Sequence, residues 1–147
     1  MRRVGLSAAL LCLLLAGCGA RYDQEQVLAD HARIESDFKA GRVRLDCVFG
    51  CTAAKAGGEA ELSALYANSQ WVDLSEEVIR IGARNDLAYF YLGSAAEGRG
   101  FMAAAKIYYR LAVEEAKTGY NCDQLMHDAC FGVVLPRDAE ERLKHLP

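Results

Sequence analysis

The chain has 147 residues, with 17 Lys and Arg against 20 Asp and Glu, giving a net charge of −3 at pH 7. That balance excludes the basic footprint of a nucleic-acid-binding domain, and the length suits one domain with a packed core. Two prolines and abundant Ala and Leu predict an all-α fold.

Arg2 and Arg3 precede an apolar run from Leu6 to Leu15. A membrane-spanning helix needs about twenty apolar residues, so this run has the length and flanks of a secretory signal. It ends in Leu15-Ala16-Gly17-Cys18, which resembles the lipobox of bacterial lipoproteins. The resemblance implies that residues 1–17 are removed, that Cys18 carries diacylglycerol on its sulfur and an acyl chain on its amine, and that 18–23 serve as anchor and short linker. Two or more acyl chains hold a protein stably on a membrane. The absence of Asp at position 19 implies sorting to the outer membrane, with the domain in the periplasm. Removal of Arg2 and Arg3, with no acid lost, leaves a net charge near −5.

Residues 24–147 read as one helical domain. Val27, His31, Ile34 and Phe38 recur at helical spacing, and Gly41 terminates that helix. His31 on this stripe reads as a partly buried packing residue. Val43 and Leu45 then alternate with Arg42 and Arg44 in a short strand or an extended loop, and Gly57-Gly58 punctuates the chain before the next helix.

Two stretches thirty residues apart match each other. Leu62 aligns with Leu92, Ser63 with Gly93, Trp71 with Phe101, Ser75 with Ala105, Ile79 with Tyr109, and Gly82 with Ala112. Such a repeat reads as two helical hairpins that stack because neither buries its apolar face alone. The second unit resembles a tetratricopeptide repeat through Tyr89, Leu92-Gly93, Ala96, Gly100, Ala105, Tyr109 and Ala112. Lys117 stands where the family places a closing proline. The resemblance implies units at about 59–84 and 86–117, flanked by capping helices. It also implies a concave face that binds an extended peptide or partner helix, with Phe90, Ser94 and Glu97 on it and Asn68 from the preceding unit. Trp71 and Tyr109 are structural in that register. As a whole the chain resembles small tetratricopeptide-type lipoproteins of Gram-negative bacteria.

Toward the C-terminus, Asp138 reads as the cap of a last helix with Ala139, Leu143 and Leu146 on one face. The extended stretch 131–136 before it is a candidate ribbon partner for Val43–Val48. Once Cys12 has left with the signal and Cys18 has taken the lipid, Cys47, Cys51, Cys122 and Cys130 remain. An even number in an exported protein suggests disulfides, and four cysteines permit three pairings. The local pairs Cys47–Cys51 and Cys122–Cys130 are favoured, giving a small disulfide-tied irregular region. In a helix, eight residues rise about 12 Å, beyond the roughly 7 Å limit for a bridge, so the second pair predicts a break in 122–130. The alternative uses these cysteines with His127 as zinc ligands.

No catalytic set emerges. The three histidines, His31, His127 and His145, cannot be joined to a nucleophile by spacing. Residues 98–100, Gly-Arg-Gly, lack the Gly-Lys-Ser/Thr of a phosphate loop. Glu76-Glu77 and Glu114-Glu115 read as solvated helix faces, and Tyr89, Phe90, Tyr91, Tyr108 and Tyr109 as core. The expectation is a non-enzymatic lipoprotein without cofactor or nucleic-acid partner. It is anchored by lipid and acts as an adaptor or assembly factor for an envelope protein or peptide. The alternatives are a metal- or ligand-binding lipoprotein and a structural subunit of an envelope complex.

Overall fold

The computed structural model describes residues 24–47, 52–118, 121–122 and 130–147, with backbone alone for 24–27 and 52–57. Residues 1–17, Cys18, Cys51 and His127 lie outside the described residues. The chain divides into two compact units, 1–32 and 33–147. Of the first, the described part is the beginning of helix α1 (Gln24–Lys39), where Leu28 is 65% exposed.

The described residues form six helices and no strand. After α1 come α2 (Thr52–Ala67), α3 (Trp71–Ile81), α4 (Asp86–Gly98), α5 (Met102–Thr118) and α6 (Arg137–His145). Helices next to each other in sequence are packed neighbours from α2 to α5, and α6 returns against α5. The fold is all-α, built of stacked helical hairpins, with the Cys122–Cys130 disulfide in the irregular stretch before α6. Its Cα atoms are 5.3 Å apart, within bridging distance. The break predicted between the two cysteines falls on 123–129, outside the described residues.

Burial follows position in the stack. In α3 the apolar Leu74, Val78 and Ile81 face inward while Val72, Asp73, Glu76 and Arg80 face water. Every residue of α4 from Asp86 to Ala96 is buried, as expected of a central helix covered on all sides. It starts where Asn85 accepts the Ala88 N–H at 2.7 Å, a side-chain cap. The Asp86 carboxylate takes the Cys122 N–H at 2.9 Å, which ties the disulfide region to the same helix end.

Two close approaches explain the glycines on the helix faces. A Cβ on Gly93 would lie 2.6 Å from Cδ1 of Tyr109, and one on Gly58 would lie 2.6 Å from Cδ1 of Ile81. Gly57-Gly58 therefore does not punctuate the chain ahead of a helix. Both residues lie inside α2, where a missing side chain admits α3.

The turns of the two hairpins are the same structure. Ser69 donates to the Tyr66 carbonyl at 3.1 Å and Gln70 to Leu65 at 2.9 Å; Gly100 donates to Glu97 at 3.0 Å and Phe101 to Ala96 at 2.8 Å. Both are Schellman closures with a left-handed residue at the crossing, Ser69 at φ 56° and Gly100 at φ 82°. Ser69 and Gly100 are 31 residues apart, so the turns repeat at 31 rather than the 30 of the sequence match. The 31 register pairs Leu62 with Gly93, Leu74 with Ala105, Val78 with Tyr109 and Ile81 with Ala112, all of them buried. Gly82 and Ala112 are not equivalent: Gly82 ends α3 at φ 67°, whereas Ala112 lies inside α5.

The stripe predicted on α1 reaches the core at Phe38, whose ring stacks on Tyr108 at 5.8 Å. Ile34 and His31 are exposed, where His31 was expected to be partly buried. The last turn of α1 is clamped by Arg99. Its guanidinium lies 4.9 Å from the Phe38 ring centre and 5.2 Å from that of Phe101, pairs with Glu35, and donates to Ser75 Oγ at 3.1 Å. Burial alone would raise the Glu35 pKa, but its hydrogen bonds and ion pairs with Arg99 and Lys39 outweigh burial and hold it below the usual value.

Beyond Gly41 the chain runs extended to a parallel bridge between Cys47 and Ala83. The Leu45 N–H donates to the buried Tyr89 hydroxyl at 2.9 Å, and the Tyr108 hydroxyl donates to the Phe38 carbonyl at 3.0 Å. These bonds fasten 38–47 to α4 and α5. The pairing predicted between 43–48 and 131–136 is thus replaced by pairing with the α3–α4 link, because Tyr89 and Tyr108 hold the segment on that side. Asp138 does not cap α6 either. The helix begins at Arg137, and Asp138 Oδ2 accepts the Val134 N–H at 2.8 Å. Ala139 is buried and Leu143 and Leu146 are half-buried, the face expected of α6.

Candidate functional site: a cleft between α4 and α6

An open cleft of about 620 Å³ lies between α4 and α6. Tyr66 at the end of α2 and Phe90 and Glu97 of α4 line one side. Phe131, Gly132 and Val133 form a rim, and Asp138, Glu141, Arg142 and His145 of α6 form the opposite wall. These four residues of α6 follow i, i+3, i+4, i+7 spacing, the polar neighbour of its buried face.

An aromatic cluster supports the α4 side. Tyr66 lies 5.8 Å from Phe90 and 5.3 Å from Tyr91 between ring centres, and Phe90 lies 5.6 Å from Tyr109. Tyr109, fully buried, donates its hydroxyl proton to Glu97 Oε2 at 2.6 Å and lies 3.2 Å from Ser94 Oγ. Ser94 in turn donates to the Phe90 carbonyl at 3.0 Å. Burial pushes the Tyr109 pKa far above the ordinary tyrosine value, and its bond to the Glu97 carboxylate adds to that. The hydroxyl therefore remains a donor, and Glu97 is held in place from below. From the cleft side Arg142 reaches Glu97 Oε1 at 3.4 Å.

The rim is shaped by the disulfide. Cys130 precedes Phe131, whose backbone is left-handed at φ 49° and whose side chain is 40% exposed. For a bulky residue that conformation is a true outlier. On the other side of the same rim, a second cleft of about 260 Å³ runs past Asp86, Cys122 and Cys130.

Four residues were predicted for a binding groove, and the fold treats them differently. Phe90 is on the cleft floor, although almost fully buried. Glu97 is on the wall, but it is not an idle surface charge: it accepts from a buried tyrosine, so its loss must affect stability. Ser94 is buried beneath the cleft and spent on Phe90 and Tyr109. Asn68 is not brought to the cleft; it sits in the α2–α3 turn and donates to the Ala64 carbonyl at 2.9 Å. Tyr66, Phe131 and the α6 residues were missed. The polar spacing on α6 was readable in the sequence, but nothing there says that this face is opposite α4.

Among the described residues, no group of three or more His, Cys, Asp or Glu side chains is placed to hold a metal ion. Cys51 and His127 of the alternative zinc set, and the Cys47–Cys51 pair, fall outside the described residues. No described helix is long and apolar enough to cross a membrane. No family model, curated protein or solved structure matches the chain.

Proposed function

We propose that this chain is a lipid-anchored adaptor of the bacterial envelope, a tetratricopeptide-like stack that holds a segment of a partner protein in the cleft between α4 and α6. The observation that carries the reading is the cleft itself: about 620 Å³, with an aromatic wall and an opposing polar helix. That volume lies in the range of ligand sites, roughly 300–1,000 Å³, and grooves of this kind take peptides through a few side-chain anchors. The anchor rests on Leu15-Ala16-Gly17-Cys18.

Site-specific photocrosslinking in cells tests the cleft. A benzophenone side chain placed at Phe131 should capture one fixed partner, while the same group at Val72 or Arg110, exposed and outside the cleft, should not. Equal capture from all three positions would refute the assignment. For the anchor, Cys18→Ser should abolish acylation and release the protein from the outer-membrane fraction.

A further inference from the structure

We infer that the segment held in the cleft is cationic, presenting Lys or Arg side chains beside apolar ones; this rests on the adaptor reading above. Three carboxylates line the cleft, those of Glu97, Asp138 and Glu141, together with Arg142 and His145. Two of the carboxylates have duties within the fold. Glu97 holds the Tyr109 hydroxyl and faces Arg142. Asp138 holds the Val134 N–H and pairs with Arg137. Glu141 is exposed, one turn from His145, and makes no hydrogen bond or ion pair among the described residues.

The cleft already accommodates one cation in this way. Arg142, on the wall opposite Tyr66 and Phe90, sets its guanidinium against Glu97, which lines the same side as those rings. Glu141 offers a second position of the same kind, with the exposed ring of Phe131 in the same lining. A carboxylate near aromatic faces suits a Lys or Arg side chain, which gains from the charge and from the ring quadrupole. An acidic segment would meet three carboxylates against one arginine in the lining, and an excess of like charge opposes binding. The aromatic rings would take up the apolar side chains between the cations.

The test uses the full chain purified in detergent and two fluorescein-labelled peptides, one built of Lys, Leu and Phe and the other with Glu in place of every Lys. Anisotropy should show binding of the Lys peptide and none of the Glu peptide. Raising salt from about 0.05 to 0.5 M should weaken that binding through screening. Glu141→Lys should weaken it about twofold to fivefold without changing the melting temperature, because the residue is exposed. Phe131→Ser should weaken it as well. If both peptides bind alike and Phe131→Ser weakens both, the cleft is the site and the cationic preference is wrong. If the Lys peptide binds but neither variant alters it, binding lies elsewhere and both readings fail. If neither peptide binds, both readings are overturned.

Discussion

The α2–α3 and α4–α5 hairpins share one turn geometry but fill the space between their helices in opposite ways. In the first, a large residue on the leading helix, Leu62, stands against a modest one on the second, Val78. In the second the partners at the same positions are Gly93 and Tyr109, and the tyrosine ring occupies the place where a Gly93 side chain would project. Leu62 and Val78 also border a small void of about 20 Å³. What repeats is the facing position, not the identity of either member, because close packing constrains facing side chains jointly. The turns differ in the same spirit. Asn68 is exposed and bonds only its own helix, whereas its counterpart Arg99 is folded over Phe38 and Phe101 and holds the end of α1.

The strongest way to break this comparison is to alter one member of each pair. Leu62→Ala enlarges the existing void and should cost about 2–4 kcal/mol in chemical denaturation. Gly93→Leu overpacks the Tyr109 ring and should cost about 1–3 kcal/mol. Gly93→Leu with Tyr109→Val writes the first pair into the second hairpin. Part of the Gly93→Leu cost should return in a double-mutant cycle; simple additivity would refute the exchange of volume.

Glu97 and its counterpart Tyr66 mark the next difference, a charged acceptor against a ring. Glu97→Lys removes the carboxylate acceptor of a buried hydroxyl and should lower stability by about 1–2 kcal/mol. Glu97→Gln retains an acceptor and should cost less. Equal melting of Glu97→Lys and the parent would mean that Tyr109 is satisfied by Ser94 alone.

The clamp on the second turn is sensitive to acid. Glu35 has a depressed pKa in the folded chain, so its contribution is complete above the unfolded value of about 4.3 and is lost as pH falls through the lower folded value. Stability measured from pH 6 to pH 3 should therefore fall more steeply for the parent than for Glu35→Gln, by about 1 kcal/mol. Parallel curves would show that the Arg99–Glu35 pair contributes nothing. The smallest effect concerns the first turn. Ser69 holds the left-handed position that Gly100 holds in the second, so Ser69→Gly should raise stability by about 0.5 kcal/mol, read as a small upward shift in melting temperature.

The sequence by itself determined the elements that depend on local chemistry. Composition and apolar spacing defined an all-α chain with a first helix ending near Gly41, hairpins in the middle and an amphipathic last helix, and the short separation of Cys122 and Cys130 favoured the disulfide that is present. Those features follow from backbone propensity, glycine conformation and chain length, all of which act within a few residues. The tertiary structure decided the rest. A residue-by-residue match chose a period of 30 because it aligned Leu62 with Leu92; only the hydrogen bonds of the two turns fix 31, since packing trades volume between facing helices. Gly58 looked like punctuation because the side chain that fills its place, Ile81, is more than twenty residues away. The extended segment 42–47 found Ala83 because Tyr89 and Tyr108 hold it there. The cleft was half legible: Phe90 and Glu97 share a helix face, but α6 comes opposite them through the fold, and a contact between residues 97 and 142 has no local signature. For the same reason nothing in the sequence linked Glu97 to the buried Tyr109 hydroxyl that it accepts from.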